Sequence, residues 1–172
     1  MRLDRNLPAK GPNVLRQQVV EVWSVYFEPL VALRKRIVAR WLEAKPKPYV
    51  AIFLDPESQK RLILWWSSVV EVPLLKELKA HHMTLQFNPR DEDIANFPLG
   101  ELGTVKIVGY AADEKGQAVL VRSSVPSRNQ HPHITVAVAS GVSAAYSNDL
   151  LARGHTPLNG PRLTGIVDVR QD

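Results

Sequence analysis

His81-His82-Met83-Thr84-Leu85-Gln86-Phe87 and His131-Pro132-His133-Ile134-Thr135-Val136-Ala137-Val138 are the two stretches on which the fold turns. In each, a histidine and a threonine stand two residues apart in a run of alternating polar and apolar residues, the period of a β-strand. Residues i and i+2 of a strand share a face. His82, Thr84 and Gln86 are therefore expected on one side, with Met83, Leu85 and Phe87 on the other. His133 and Thr135 separate in the same way from Ile134, Val136 and Val138. With five histidines and five threonines in 172 residues, one chance His-x-Thr is expected roughly 0.15 times per chain and two about once in a hundred chains, so the matched phasing of both copies is worth pursuing.

Outward from these strands the chain alternates helix and strand without a regular βαβ repeat. Tyr49-Val50-Ala51-Ile52-Phe53-Leu54 is apolar throughout, as expected of a central strand buried on both faces. Asp55 then reads as an N-cap and Pro56 as the first residue of a helix to about Val69, with Leu62, Ile63, Trp65 and Trp66 inward. Adjacent tryptophans can also stack on nucleobases. Residues 73–80 are expected to be a helical or turn connection, and residues 88–100 a surface loop holding at most one helical turn. Strands are expected over 103–112 and 117–122, joined at Asp113-Glu114-Lys115-Gly116 with Gly116 available for positive φ. A loop over 123–130, a helix over 143–152, a turn-rich loop over 154–161 and a last strand over 162–169 complete an α+β pattern.

The N-terminal part differs. Residues 1–13 are polar and broken by Pro8, Gly11 and Pro12. From Asn13 to about Glu43, Leu15, Val19, Val22, Tyr26, Leu30, Leu33, Ile37 and Trp41 recur at helical spacing, with Asn13 a candidate N-cap and a kink or helix break expected at Pro29. A second apolar row makes the stripe wide enough for a partner as well as the domain, so assembly into homo-oligomers through these helices is a candidate role. Residues 1–48 carry 10 Lys/Arg against 4 Asp/Glu, the remainder 12 against 13. The basic cluster Arg34-Lys35-Arg36 with Arg40 reads either as a solvated helix face or as an RNA contact. Pro46 and Pro48 end the helix, which sets the expected division into a helical extension, 1–48, and a domain, 49–172.

Composition narrows the chemistry. Hydrophobic residues make up 45% of the chain, no run of about 18 apolar residues could span a bilayer, and the N-terminus lacks a secretory pattern, so a cytoplasmic protein without membrane contact is expected. The absence of cysteine excludes disulfides, thiolate metal ligands and thiol nucleophiles. Displacing an oxygen leaving group at phosphorus needs a base for the incoming oxygen and an acid for the departing one. Histidine serves as either near neutral pH, and threonine hydroxyls can donate to non-bridging oxygens. Two His-x-Thr strands side by side would supply all of this with no cofactor and no metal. A zinc site using His82, His133 and Asp55 is the rival, but neither strand carries a carboxylate beside its histidine and no HExxH spacing occurs. No GxSxG elbow is present either.

The two motifs resemble the signature of the two-histidine (2H) phosphoesterase superfamily, a pair of H-x-[ST]-apolar strands. It is matched here by His82-Met83-Thr84-Leu85 and His133-Ile134-Thr135-Val136, and the likeness covers roughly residues 49–170. Members include LigT-like RNA 2′,3′-cyclic phosphodiesterases and the phosphodiesterase domains of fungal tRNA ligases. The resemblance implies a bilobal, pseudo-symmetric α+β fold, preceded here by the N-terminal helical extension that the periodicity of residues 13–43 suggests. It also implies hydrolysis of a 2′,3′-cyclic phosphate, at an RNA end or on a small nucleotide, to a 2′-phosphomonoester in RNA processing or repair. By the same likeness His82 is the general acid, His133 the base for water, and Thr84 and Thr135 the phosphate grip. Tyr110, Arg122, Arg128 and His131 are further candidates for the pocket, while His81 is expected to face away from His82. A cyclic-oligonucleotide phosphodiesterase and a non-catalytic RNA- or nucleotide-binding module are the alternatives.

Overall fold

The structure, a computed structural model, describes residues 28–43, with the side chains of 29–36, and residues 47–171. The chain divides into two compact units, residues 1–45 and 46–172. In the first, α1 (Glu28–Glu43) is a 16-residue helix. Pro29 falls in its first turn, where the missing N–H removes no helix bond. Leu30, Val31 and Leu33 are exposed, as are Arg34, Lys35 and Arg36. The expected N-cap at Asn13, the polar arm and the Arg40 side chain lie outside what the structure describes.

The second unit contains β1 (Pro48–Leu54), α2 (Pro56–Val69), β2 (Glu77–Leu78), β3 (His82–Phe87), α3 (Asp91–Ile94), β4 (Leu102–Ala112), β5 (Gly116–Ser123), β6 (His133–Val138), α4 (Tyr146–Ala152), β7 (Thr156–Pro157) and β8 (Arg162–Gln171). With α1, the described residues hold four helices and one eight-stranded antiparallel sheet, an α+β architecture. The strand order is β2-β6-β5-β4-β8-β1-β3, with β7 also paired to β4. No helix among the described residues is long and apolar enough to cross a membrane.

The two ends of that order are consecutive in the chain, so the sheet curls until β3 lies beside β6. The segment that joins them was expected to be helical or a turn. It is extended instead, because its backbone bonds are taken by β6: Leu78 faces Ala137, and the N–H groups of Lys79 and Ala80 donate to Val136 O and Thr135 O at 2.9 and 2.8 Å. Gln117 holds its start, donating to Pro73 O and accepting from the Leu75 N–H. At Ala80, φ is +35°, and the chain changes partner. The carbonyl of the next residue, His81, accepts from Leu54 N–H of β1.

Alternation along the strands directs Val50, Ile52, Met83, Leu85, Val105, Ile107, Val119, Val121, Ile134, Val136, Leu163 and Val167 into one core. Helix α2 closes this core with Leu62 and Trp66, both fully buried. Trp66 packs edge-on against Tyr110 with ring centroids 5.8 Å apart, and its indole N–H donates to Val72 O. Asp55 caps α2 as its sequence predicts, accepting from Ser58 N–H at 2.7 Å. It also accepts from the Thr164 hydroxyl of β8 at 2.6 Å. Trp65 is only half-buried.

On the other face, α4 lays Leu150 and Leu151 over Ala111 and Ala118. The hairpin turn between β4 and β5 is closed by Asp113, whose carboxylate accepts from the N–H groups of Lys115 and Gly116. Gly116 does not adopt positive φ; glycine is needed because a Cβ there would stand 2.7 Å from the Tyr146 ring. The same carboxylate ties the turn to α4 through Tyr146 Oη at 2.6 Å and Arg153 at 2.9 Å. Burial pushes the Asp113 carboxyl up, but the Tyr146 hydroxyl, the two N–H groups and Arg153 outweigh it and hold the pKa at about 2.

An unfolded aspartate titrates near pH 3.9, so this contribution is complete above that value and is lost as pH falls through about 2. Asp113→Asn is expected to cost about 1–2 kcal/mol at pH 7 once solvent screening is allowed for, and to flatten the loss of stability between about pH 4 and 2. Urea melts of both proteins at pH 7 and pH 3 measure the difference. An equal gap at the two pH values would contradict the assignment.

Candidate active site

The first motif sits on β3 with its expected phase: Met83 and Leu85 are buried in the core, while His82, Thr84 and Gln86 are half-buried on the opposite face. β1 neighbours β3 through Phe53↔His82 and Ala51↔Thr84. Tyr49, Ala51 and Phe53 therefore share the motif face, and the Tyr49 and Phe53 rings lie 5.0 and 5.6 Å from the His82 imidazole. Arg170 of β8 stacks 3.8 Å over the Phe53 ring. His82 is thus held by flat aromatic surfaces on a rigid strand.

His81 does not turn away from His82. Because Ala80 leaves the extended region, strict alternation begins only at His82, and the two rings approach to 4.5 Å between centroids. Their Nδ1 atoms are 2.7 Å apart, a distance that requires one ring to donate and the other to accept.

The second motif sits on β6. His133 pairs across β5 with Leu120, and Thr135 with Ala118, on the face opposite to Ile134 and Val136. His133 is 8% exposed, and its Nδ1 lies 2.7 Å from the carbonyl oxygen of His131. A carbonyl only accepts, so Nδ1 carries the proton and Nε2 of the neutral ring keeps its lone pair. Burial pulls the His133 pKa below the ordinary histidine value, and the bond to His131 opposes this only in part. Thr135 Oγ1 is engaged with the start of α4, 2.9 Å from Ser147 Oγ and 3.3 Å from Ala144 O.

The two motifs are brought together by the hand-over at Ala80. Past Ala80 the chain pairs with β1 instead, His82 facing Phe53, yet β3 still lies against β6. Beyond that point the chain preceding β6 runs along β3: Arg128 N–H donates to Leu85 O at 2.7 Å, and Ser127 Oγ and Asn129 Nδ2 donate to Thr84 O. Both motifs present their histidine and threonine on the non-core face.

The remaining candidates divide. Arg122 and His131 border a cavity of about 670 Å³ with Gln130, Ser123, Ser127 and His155; His82, Thr84, His133 and Thr135 do not line it. Arg128 borders a second cavity of about 500 Å³ with Asp93, Asn96 and Phe97. Tyr110 lies in neither; the bulge that shifts the β4–β5 register between Ile107 and Gly109 turns its ring inward to Trp66. Among the described residues no group of three or more His, Asp or Glu side chains is arranged to hold a metal ion.

Three residues at the site escape the strand pattern: His81, Ser147 and His155. Only His155 had a usable cue, as an isolated histidine in a turn-rich segment. It packs where Gly109 leaves room, since a Cβ at Gly109 would come within 2.9 Å of Thr156 O and 3.0 Å of the His155 ring. No family model matches the chain, and no curated protein matches it.

Proposed function

We propose that the chain is a metal-independent phosphodiesterase of the two-histidine kind, opening a 2′,3′-cyclic phosphate at an RNA end or on a nucleotide to a 2′-phosphomonoester. The observation that carries this reading is that β3 and β6, the strands bearing His82-x-Thr84 and His133-x-Thr135, lie against one another, each with its intervening apolar residues in the core. The bilobal, pseudo-symmetric relation of the two halves, with β3 and β6 as corresponding strands, belongs to the same proposal. So does a supporting RNA contact through Arg34, Lys35 and Arg36, which are exposed.

In the proposed step, His133 Nε2 takes a proton from a water molecule, whose oxygen attacks phosphorus. The bond from phosphorus to the 3′-oxygen breaks, and His82 gives its proton to that oxygen, leaving a 3′-hydroxyl and a 2′-phosphate. The tautomer imposed by His131 O suits His133 to the role of base. A doubly protonated His82 can donate Nδ1–H to His81 while Nε2–H faces the leaving group, so His81 acts as a positioning residue. Thr84 and Thr135 donate to the non-bridging oxygens. For Thr135 this exchanges the long 3.3 Å bond to Ala144 O for a charge-assisted one, while Ser147 turns to donate to it.

The test is hydrolysis of a short RNA ending in a 2′,3′-cyclic phosphate in the presence of EDTA, with the product assigned by phosphorus NMR. A 2′-phosphate and a bell-shaped pH profile are expected. The rising limb reports deprotonation of His133, so its midpoint should lie below pH 6.5, the side to which burial moves this histidine. No turnover, or turnover abolished by the chelator, overturns the proposal.

A further inference from the structure

Cross-strand register places three basic residues in one row. Lys106 of β4 faces Arg162 of β8 on one side and Arg122 of β5 on the other. Directly opposed residues share a face, and here it is the non-core face that also bears the two histidine motifs. At the β8 end, Arg61 adds a fourth charge by donating to Arg162 O. At the β5 end Arg122 borders the 670 Å³ cavity with His131 and His155, a cavity lined otherwise largely by apolar side chains and by no carboxylate. Among the described residues, none of the four cations is in an ion pair.

Like charges placed directly opposite one another on a sheet destabilise it; Lys106 Nζ is anchored on Gly160 O at 2.6 Å, but no ion pair offsets the row among the described residues. With strands about 4.8 Å apart, the three side chains spread positive charge over about 10 Å, more than one phosphate requires. We propose that the row Arg162–Lys106–Arg122 and the adjoining cavity form a track for the phosphodiester backbone of a single strand that leads to the histidine pair. This rests on the phosphodiesterase reading and deepens it. A 2′,3′-cyclic phosphate needs a ribose 2′-oxygen, so the strand is RNA, and the substrate is the end of an oligonucleotide in preference to a free cyclic mononucleotide.

The experiment is fluorescence-anisotropy titration of the full chain and its Arg122→Gln/Arg162→Gln variant with a fluorescein-labelled hexauridylate carrying a 3′-phosphate, between 50 and 200 mM salt. Each phosphate neutralised on a single strand contributes about 0.7 to the slope of log affinity against log salt. The variant is expected to bind at least about ten-fold more weakly at the low-salt end, with a slope smaller by about 1.4. Its melting temperature should equal or exceed that of the parent, since like-charge neighbours have been relieved. Unchanged affinity and slope overturn the proposal, as does a lowered melting temperature, which would make the row structural. Because binding is read without turnover, failure here is distinct from failure of the hydrolysis assay on the parent protein.

Discussion

Replacing either His82 or His133 by alanine is expected, on the proposed mechanism, to lower kcat/KM for a 2′,3′-cyclic phosphate by about 10²–10⁴-fold, the range a positioned acid or base supplies. The double replacement is expected to be little worse than either single one, because acid and base act on one transition state and their losses do not add. In the proposed step, loss of His133 would remove the lone pair that receives the proton of water, and loss of His82 the proton for the 3′-oxygen. The pH profiles separate them. His133→Ala should lose the rising limb and keep the falling one, and His82→Ala the reverse. His82 also packs against Tyr49 and Phe53, so His82→Gln, which keeps bulk and polarity without a titrating group, serves as the companion variant. Near-parental turnover in either alanine variant would refute the mechanism.

Trp66→Ala is expected to be the most damaging single change to stability. The ring is fully buried, and truncating a buried tryptophan costs about 3–5 kcal/mol. The change also leaves Val72 O without its donor and deprives Tyr110 of its edge-on neighbour. Against a typical total of about 5–15 kcal/mol, that is a large share. In a domain of this size it corresponds to a fall in melting temperature of about 10–20 °C, followed by circular dichroism. Trp65→Ala, at a half-buried ring on the same helix, should cost much less. Equal effects at the two positions would show that Trp66 is not the closure of the core.

Much of the fold was legible because burial and strand period coincide. The all-apolar run at 49–54, the Asp55-Pro56 cap and the alternation in both His-x-Thr strands each appear where their residues predict. The misreadings have local causes. Residues 73–80 carry no strand period, since two β-bridges and a partner change at Ala80 leave too few residues to show one. Tyr110, a pocket candidate from sequence, faces the core instead because a one-residue bulge, invisible in composition, turns it over. His81 was assigned to the wrong face because alternation cannot foresee a positive φ at an alanine. The Arg162–Lys106–Arg122 row combines residues from three separate segments and becomes visible only once register is known.

The pairing of Glu77–Ala80 with Thr135–Val138 joins segments far apart in the chain, and it is held at its end by two amides, those of Lys79 and Ala80. Contacts of such sequence separation carry the entropy of closing a long loop and contribute nothing until that loop is shut. The hairpin of β4 and β5, by contrast, is local and closed by its own aspartate. This seam, with the bonds of residues 127–129 to Thr84 and Leu85, is what joins the strand of His82 to that of His133. On the proposed function, activity therefore depends on this long-range seam staying shut.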